Sequence, residues 1–307
     1  MKMVIKPRLL GLLNTAAYLL NALETFGCGP FSSRFSADQN NAAISNKYQT
    51  IITPYGIAFA IWGLIFVMQA VFCCVCIFGN NAKAGEAKKG DSDDDKKNKE
   101  DGKFFWKGDQ YCAHPLVVEG VSYYYLLACL AQTAWSPAFA YEHMPLSALC
   151  MGCILLPLII IAVKQHSAYK RAMQWHPKQL HFFRGKYYWL LQFPFELHLG
   201  WIIAAFALNL NVALVADKAS RIIQLTAALI WLIILTIASI SALFKVQNYT
   251  IPSVSIWALF WIYVELHHPK ELILNTFTSN DVNAFCYGSI GLVFVLSYCC
   301  VWKLFSS

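Results

Sequence analysis

Charge is scarce in this chain. Only 13% of its 307 residues are Asp, Glu, Lys or Arg, about half the share of an ordinary soluble domain. The signatures of several chemistries are missing too. There is no HExxH helix, no Gly-rich phosphate loop and no pair of carboxylates at catalytic spacing. Ser136-Pro137 has no general base beside it in sequence, so an enzyme is not expected. No basic helix or aromatic-basic module appears, which removes nucleic acid from the expected partners. An Arg-rich amphipathic leader is absent, so a plastid or mitochondrial presequence has no support. The two-residue alternation of barrel strands is absent as well.

Cysteine is present, but not as a framework. Nine of the eleven cysteines lie within or at the ends of apolar runs, leaving Cys28 and Cys112 in loops. An odd count placed in this way argues against disulfides. Cys150 and Cys153 form a CxxC inside an apolar run, with no second pair or histidine near them in sequence. Small polarizable residues at helix contacts account for them.

What the chain has is apolar length. It is 58% hydrophobic with a mean hydropathy of +0.47. Eight runs are long enough to cross a hydrocarbon core of about 30 Å as helices. They are Leu9–Phe26, Pro54–Phe78, Val117–Tyr141, Leu146–Val163, Tyr188–Val215, Ile222–Phe244, Val246–Leu266 and Ala284–Phe305. Helix is the required conformation, because lipid offers an open backbone no hydrogen bonds. With the N-terminus on the cytosol-like side, nineteen Lys and Arg fall inside and five outside. That imbalance predicts both termini on the positive side, with the organelle undefined. Basic residues followed by an apolar stretch make the N-terminus resemble a signal peptide, but "LETFGCGP" is a poor cleavage site, so a retained first helix is expected. "NYT" at Asn248–Thr250 is a sequon placed inside by this topology.

Two inside segments differ in kind. Lys83 to Asp109 carries eight lysines and eight acids. With almost no apolar residues before Phe104 it has no means of burying a core, and residues 79–115 are expected to form a disordered linker. The segment around Trp175, Phe182, Phe183, Tyr187 and Tyr188 mixes rings with cations and suits the headgroup layer. Its histidines, His166, His176 and His181, lack ligand spacing, and no metal site is expected.

Helical neighbours recur every three to four residues, and three polar-aromatic stripes obey that spacing. One runs Tyr55, Phe59, Trp62, Phe66, Gln69. The second runs Tyr125, Ala128, Gln132, Trp135, Phe139, His143. The third runs Pro194, His198, Trp201, Ala205, Asn209. Amides and imidazoles find no partner in lipid, so each stripe is expected to face inward. Trp62, Trp135 and Trp201 sit well inside their runs, away from the ends where interfacial belts place tryptophan. Two readings stay open: helix packing, or an aromatic cavity for a flat apolar ligand.

"AWSPAFAYEHMPLSAL" resembles the Trp-Ser-Pro-x-Phe stretch of the tryptophan-rich sensory protein and translocator protein (TspO/MBR) family. "WIIAAFALNLN" is similar to that family's fifth helix through Trp201, Ala205, Leu208 and Asn209. "TPYGIAFAIWGLIF" resembles its second-helix entry through Pro54 and Trp62. The resemblance covers about residues 8–215 and is closest to longer relatives with extra helices. Gln132 stands where an asparagine is usual, Phe66 where a tyrosine is, and Phe59 is one place out of register. Glu196 and His198 are additions.

The apolar runs predict an all-α polytopic integral membrane bundle of about eight transmembrane helices, and the resemblance implies a TspO-like five-helix bundle within it. A five-helix core occupies residues 1–216, and three additional helices occupy residues 217–307. The resemblance also implies a pocket for a porphyrin, haem or sterol-like lipid. The candidate site residues are Trp62, Phe66, Gln132, Trp135, Phe139, His198, Trp201, Ala205 and Asn209. By analogy Trp135 and Trp201 line the pocket, Asn209 anchors a helix contact and Pro137 shapes the third helix. His198 is either an iron ligand or a buried histidine bonded to a neighbouring helix. The implied partners are membrane lipid and a small apolar ligand, with a second copy of the chain or a larger membrane assembly as candidate protein partners. The competing functions are a secondary transporter of another small molecule, using Glu119, Glu196 or Glu265, and a non-catalytic subunit of an assembly.

Overall fold

A computed structural model describes residues 6–26, 41–79, 111–175 and 177–306. The expectations for Cys28, His176 and the charged stretch Lys83–Asp109 fall outside the described residues. The described chain is helical, with no strand among the described residues. In chain order the helices are α1 (Pro7–Thr25), α2 (Asn41–Lys47), α3 (Ile61–Phe78), α4 (Tyr124–Ala140), α5 (Met144–Trp175), α6 (Lys186–Leu191), α7 (Phe193–Ala216), α8 (Arg221–Val246), α9 (Thr250–His267), α10 (Glu271–Thr276) and α11 (Ser279–Phe305). A short 3-10 turn, Gly56–Ala60, leads into α3.

Each of the eight apolar runs contributes one long helix. Among the described residues, five helical stretches are long and apolar enough to cross a membrane: Gly56–Phe78, α5, α7, α8 and α11. Helix α1 is less apolar because Asn14, Asn21 and Glu24 occupy its buried face, each at most 2% exposed. Its outward face is leucine, with Leu9, Leu12, Leu19 and Leu23 about half exposed or more. Polar residues inward and leucines outward is the pattern a hydrocarbon solvent demands.

Two apolar runs are not continuous helices. The third run, expected as Val117–Tyr141, begins with a π turn, Leu116–Val121, and breaks at Ser122, whose φ is 46°. The interrupted backbone is held from the side. Asn14 Nδ2 donates to Ser122 O at 3.0 Å. Gln165 Nε2 donates to Leu116 O at 3.2 Å and to Leu191 O at 2.8 Å. Non-helical backbone at this depth survives only where protein groups satisfy it. Gly120 is required there, since an added Cβ would lie 2.5 Å from Gln165 Cγ. The fifth run breaks at Gln192, between α6 and α7, where Pro194 opens α7.

One apolar core joins α1, α3, α4, α5 and α7 and takes in Ala242, Ile251, Val254 and Ala258 from α8 and α9. A second cluster, including Leu232, Leu259, Ile262 and Leu296, lies among α8, α9 and α11. The link between the two halves is close. Trp257 Nε1 donates to Ala58 O at 3.0 Å, and Tyr55 N donates to Trp261 O at 3.0 Å. Asn248 is 6% exposed and its Oδ1 accepts from Ile251 N at 3.0 Å, capping the start of α9. The sequon asparagine is therefore engaged in the fold.

The stripes face inward except at two ends. Tyr55 is 43% exposed, because it precedes the helical register of α3. His143 is exposed because the chain turns at Glu142, φ 60°, after α4 has ended.

Candidate functional site

At the end of the bundle where α1 finishes, the helices enclose a cavity of about 370 Å³. Ligand pockets span roughly 300–1,000 Å³. Its wall is aromatic. Phe59 meets Trp201 edge-on at 5.8 Å, Trp62 meets Trp201 edge-on at 6.3 Å, and Trp135 stacks on Phe139 at 5.2 Å. Helical spacing places these rings. Trp201, Ala205 and Asn209 are successive four-residue steps along α7, and Gln132, Trp135 and Phe139 follow at steps of three and four on α4. The small side chain of Ala205 leaves the gap open between the rings.

Seven of the nine expected site residues line the cavity: Trp62, Gln132, Trp135, Phe139, Trp201, Ala205 and Asn209. The other two lie off it. Phe66 turns toward α1, where its ring meets Tyr18 at 6.1 Å and Phe26 at 5.0 Å, and its carbonyl accepts from Tyr18 Oη at 3.0 Å. His198 is one turn deeper than Trp201 and only 1% exposed. Gln69 Nε2 donates to its Nδ1 at 2.8 Å, and Trp62 closes over the ring at 5.8 Å. The lining therefore offers no imidazole, and the residues present do not fit an iron-ligated haem.

The polar atoms of the wall decide what the cavity can hold. Asn209 Oδ1 accepts from Ser147 Oγ at 3.0 Å, so it joins α7 to α5. Gln132 Oε1, Trp135 Nε1 and Trp201 Nε1 are buried with no hydrogen-bond partner among the described residues. An unmet buried donor or acceptor costs about 1–3 kcal/mol. Two donors and one acceptor of lining residues are thus buried without partners among the described residues. Gln132 and Trp135 belong to the same short stretch as Pro137, which lies inside α4. That stretch combines a helix-distorting proline with side chains aimed at a cavity.

Short helix α2 covers the mouth, with Ser45 and Asn46 beside Thr25 of α1. Sequence reasoning missed this cover, because α2 is too short and polar to show a periodic signal. Lys47 Nζ reaches Glu142 Oε2 at 2.6 Å and ties α2 to the α4–α5 turn. The hydrogen bond from Lys47, then that from Tyr48, holds the Glu142 carboxyl below its ordinary range, and Glu142 in turn raises Lys47. A depressed carboxyl stabilises above its ordinary value and loses that contribution as pH falls through the folded value. The raised lysine loses its contribution only as pH climbs past the ordinary ammonium range. The tether should therefore hold at neutral pH and release only as pH falls below the ordinary carboxylate range. A spin label at Ala43 is expected to gain mobility on acidification, and Glu142→Gln should show that mobility already at pH 7. Equal mobility at both pH values in the unsubstituted protein would disprove the tether.

The family model described as TSPO-like protein matches residues 15–92 and 105–298. The chain belongs to the TSPO-like protein family. No curated protein and no solved structure matches it. The match runs past residue 216, so α8, α9 and α10 and most of α11 lie inside the matched region of this TSPO-like chain. Family and apolar helices together make it an integral membrane protein with an all-α bundle.

Proposed function

We propose that this TSPO-like protein binds a flat, largely apolar ligand, a porphyrin or a sterol-like lipid, in the cavity between α3, α4 and α7. The observation that carries the reading is the set of unpartnered atoms in the wall, Gln132 Oε1, Trp135 Nε1 and Trp201 Nε1. Rings supply area for a planar molecule, and the three polar atoms supply orientation. The protein acts as a binder or carrier, with no catalytic step assigned. Of the acidic residues a proton-coupled transporter would use, Glu196 accepts from Gln192 Nε2 at 2.7 Å and from Tyr188 Oη at 2.9 Å, away from the cavity lining. Glu119 pairs with Arg171 at the surface.

The same reading covers topology. The leucine-rich outer faces are solvated by membrane lipid, eight long helices cross the bilayer, and both termini share the positive side. The mouth then opens on the opposite side, beside Lys47 and Lys270.

Titration of the purified chain with a metal-free porphyrin in mild detergent tests the binding. Tryptophan fluorescence is expected to quench saturably, and Trp135→Ala to weaken affinity about tenfold, the effect of losing one stacked ring. Non-saturable quenching, equal in the wild type and in Trp135→Ala, would refute the proposal.

A further inference from the structure

The cavity mouth holds a charge that the five-helix core does not provide. Lys270 sits in the link between α9 and α10 and is the one charged residue in the lining among the described residues. It is held in place by two neighbours. Its Nζ lies 3.2 Å from Glu265 Oε1 and 3.2 Å from Asn46 Oδ1. Glu265 is only 2% exposed, and Gln49 Nε2 donates to it at 2.7 Å. The lysine side chain itself is 47% exposed.

The arrangement leaves donor capacity at the mouth. An ammonium has three protons to donate. Glu265 and Asn46 account for two among the described residues. Inside, the indole N–H groups of Trp135 and Trp201 are further donors without partners. The buried carboxylate of Glu265 anchors the lysine from the protein side, already engaged by Gln49. Among the described lining residues, the one formal charge is therefore positive.

We infer that Lys270 is a specificity-determining residue, and that the cavity selects apolar ligands carrying a carboxylate or similar anionic group at one end. The inference rests on the binding proposed above. The ring system lies between Trp62, Trp135 and Trp201, and the anionic end accepts from Lys270 Nζ, displacing Asn46 as its neighbour. The charge-assisted hydrogen bond is partly screened at this exposure, which sets the expected preference at about tenfold rather than the hundredfold of a buried pair.

The test compares a metal-free porphyrin dicarboxylic acid with its dimethyl ester on the full-length chain at pH 7. The ring is the same and only the charge differs, since ordinary carboxylates are ionised at that pH. The acid is expected to bind about tenfold more tightly, and the preference to shrink as salt is raised. Lys270→Met should reduce the preference to about onefold by lowering acid affinity, and Lys270→Arg should retain it. Because Lys270→Met leaves Glu265 buried without its cation, the paired variant Glu265→Gln/Lys270→Met removes both charges together. It should show the same lost preference, with ester affinity reporting an intact cavity. Equal affinity for acid and ester in the wild type would overturn the inference. So would a preference that persists in the paired variant. Failure of both compounds to bind would instead remove the cavity reading, and the inference with it.

Discussion

Trp201→Ala is expected to lower porphyrin affinity about a hundredfold and to reduce the thermal stability of the detergent-solubilised protein. Trp201 is 2% exposed and its ring meets Phe59 and Trp62, so its removal both deletes a stacking face and opens a void. A lost ring face is worth about 1–3 kcal/mol to a planar ligand, and tenfold in affinity is about 1.4 kcal/mol. Large-to-small changes of aromatic core residues cost about 3–5 kcal/mol in soluble proteins. In a bilayer the transfer part of that cost shrinks, because lipid is as apolar as the protein interior, while the lost packing remains. Trp201→Phe separates the two contributions. It keeps a ring against Phe59 and removes only the Nε1 donor. That donor has no partner among the described residues, so in the empty protein its loss should be neutral or slightly stabilising. With ligand, the expected loss is about tenfold if the indole N–H serves the ligand. Isothermal titration and thermal melts of both variants, each with and without porphyrin, check this. An unchanged affinity in Trp201→Ala would remove the ring from the binding surface.

The second large effect lies at the seam between the core and the later helices. Gly200 on α7 packs against Val254 on α9 so closely that an added Cβ would stand 3.0 Å from Val254 Cβ and 3.3 Å from both its methyl groups. Small residues at such crossings let two helices approach, which is where packing energy in membranes arises. Gly200→Leu forces α9 away from α7. Overpacking in a filled core costs about 1–3 kcal/mol. Here the shift would also strain the Trp257–Ala58 and Tyr55–Trp261 hydrogen bonds, which cross the same seam. Gly200→Leu is therefore expected to lower the melting temperature clearly more than Gly200→Ala. Because α9 carries Glu265, and Lys270 follows it, the leucine variant should also weaken the acid preference. Matching melts for the wild type and Gly200→Leu would show that the seam does not couple the halves.

Much of this architecture is written in local pattern. The apolar runs specify membrane helices because lipid leaves the backbone no other partner. Helical spacing of three and four residues puts Trp201, Ala205 and Asn209 on one line and Gln132, Trp135 and Phe139 on another, so a shared inward face was readable in the sequence. Periodicity stops at helix ends, which is why Tyr55 and His143 fall outside their stripes. It also does not report which neighbour a face meets. Phe66 and His198 keep the register of their stripes yet turn to α1 and to Gln69, since rotation and depth are set by packing. The break at Ser122 was hidden for a related reason. Its stabilising partners, Asn14 and Gln165, are distant in the chain.

By itself, then, the sequence determined the helical membrane class, the stripes and the resemblance to a family whose model matches most of the chain. Those properties come from solvent, spacing and motif, all local. Only the tertiary structure decided that three buried polar atoms of lining residues lack partners among the described residues, that α2 lies at the mouth, and that Lys270 joins the lining. Lys270 and Asn46 are 224 positions apart, and no pattern in a chain specifies a contact at that separation. It exists because Val254 of α9 packs on Gly200, which brings the following link across the opening.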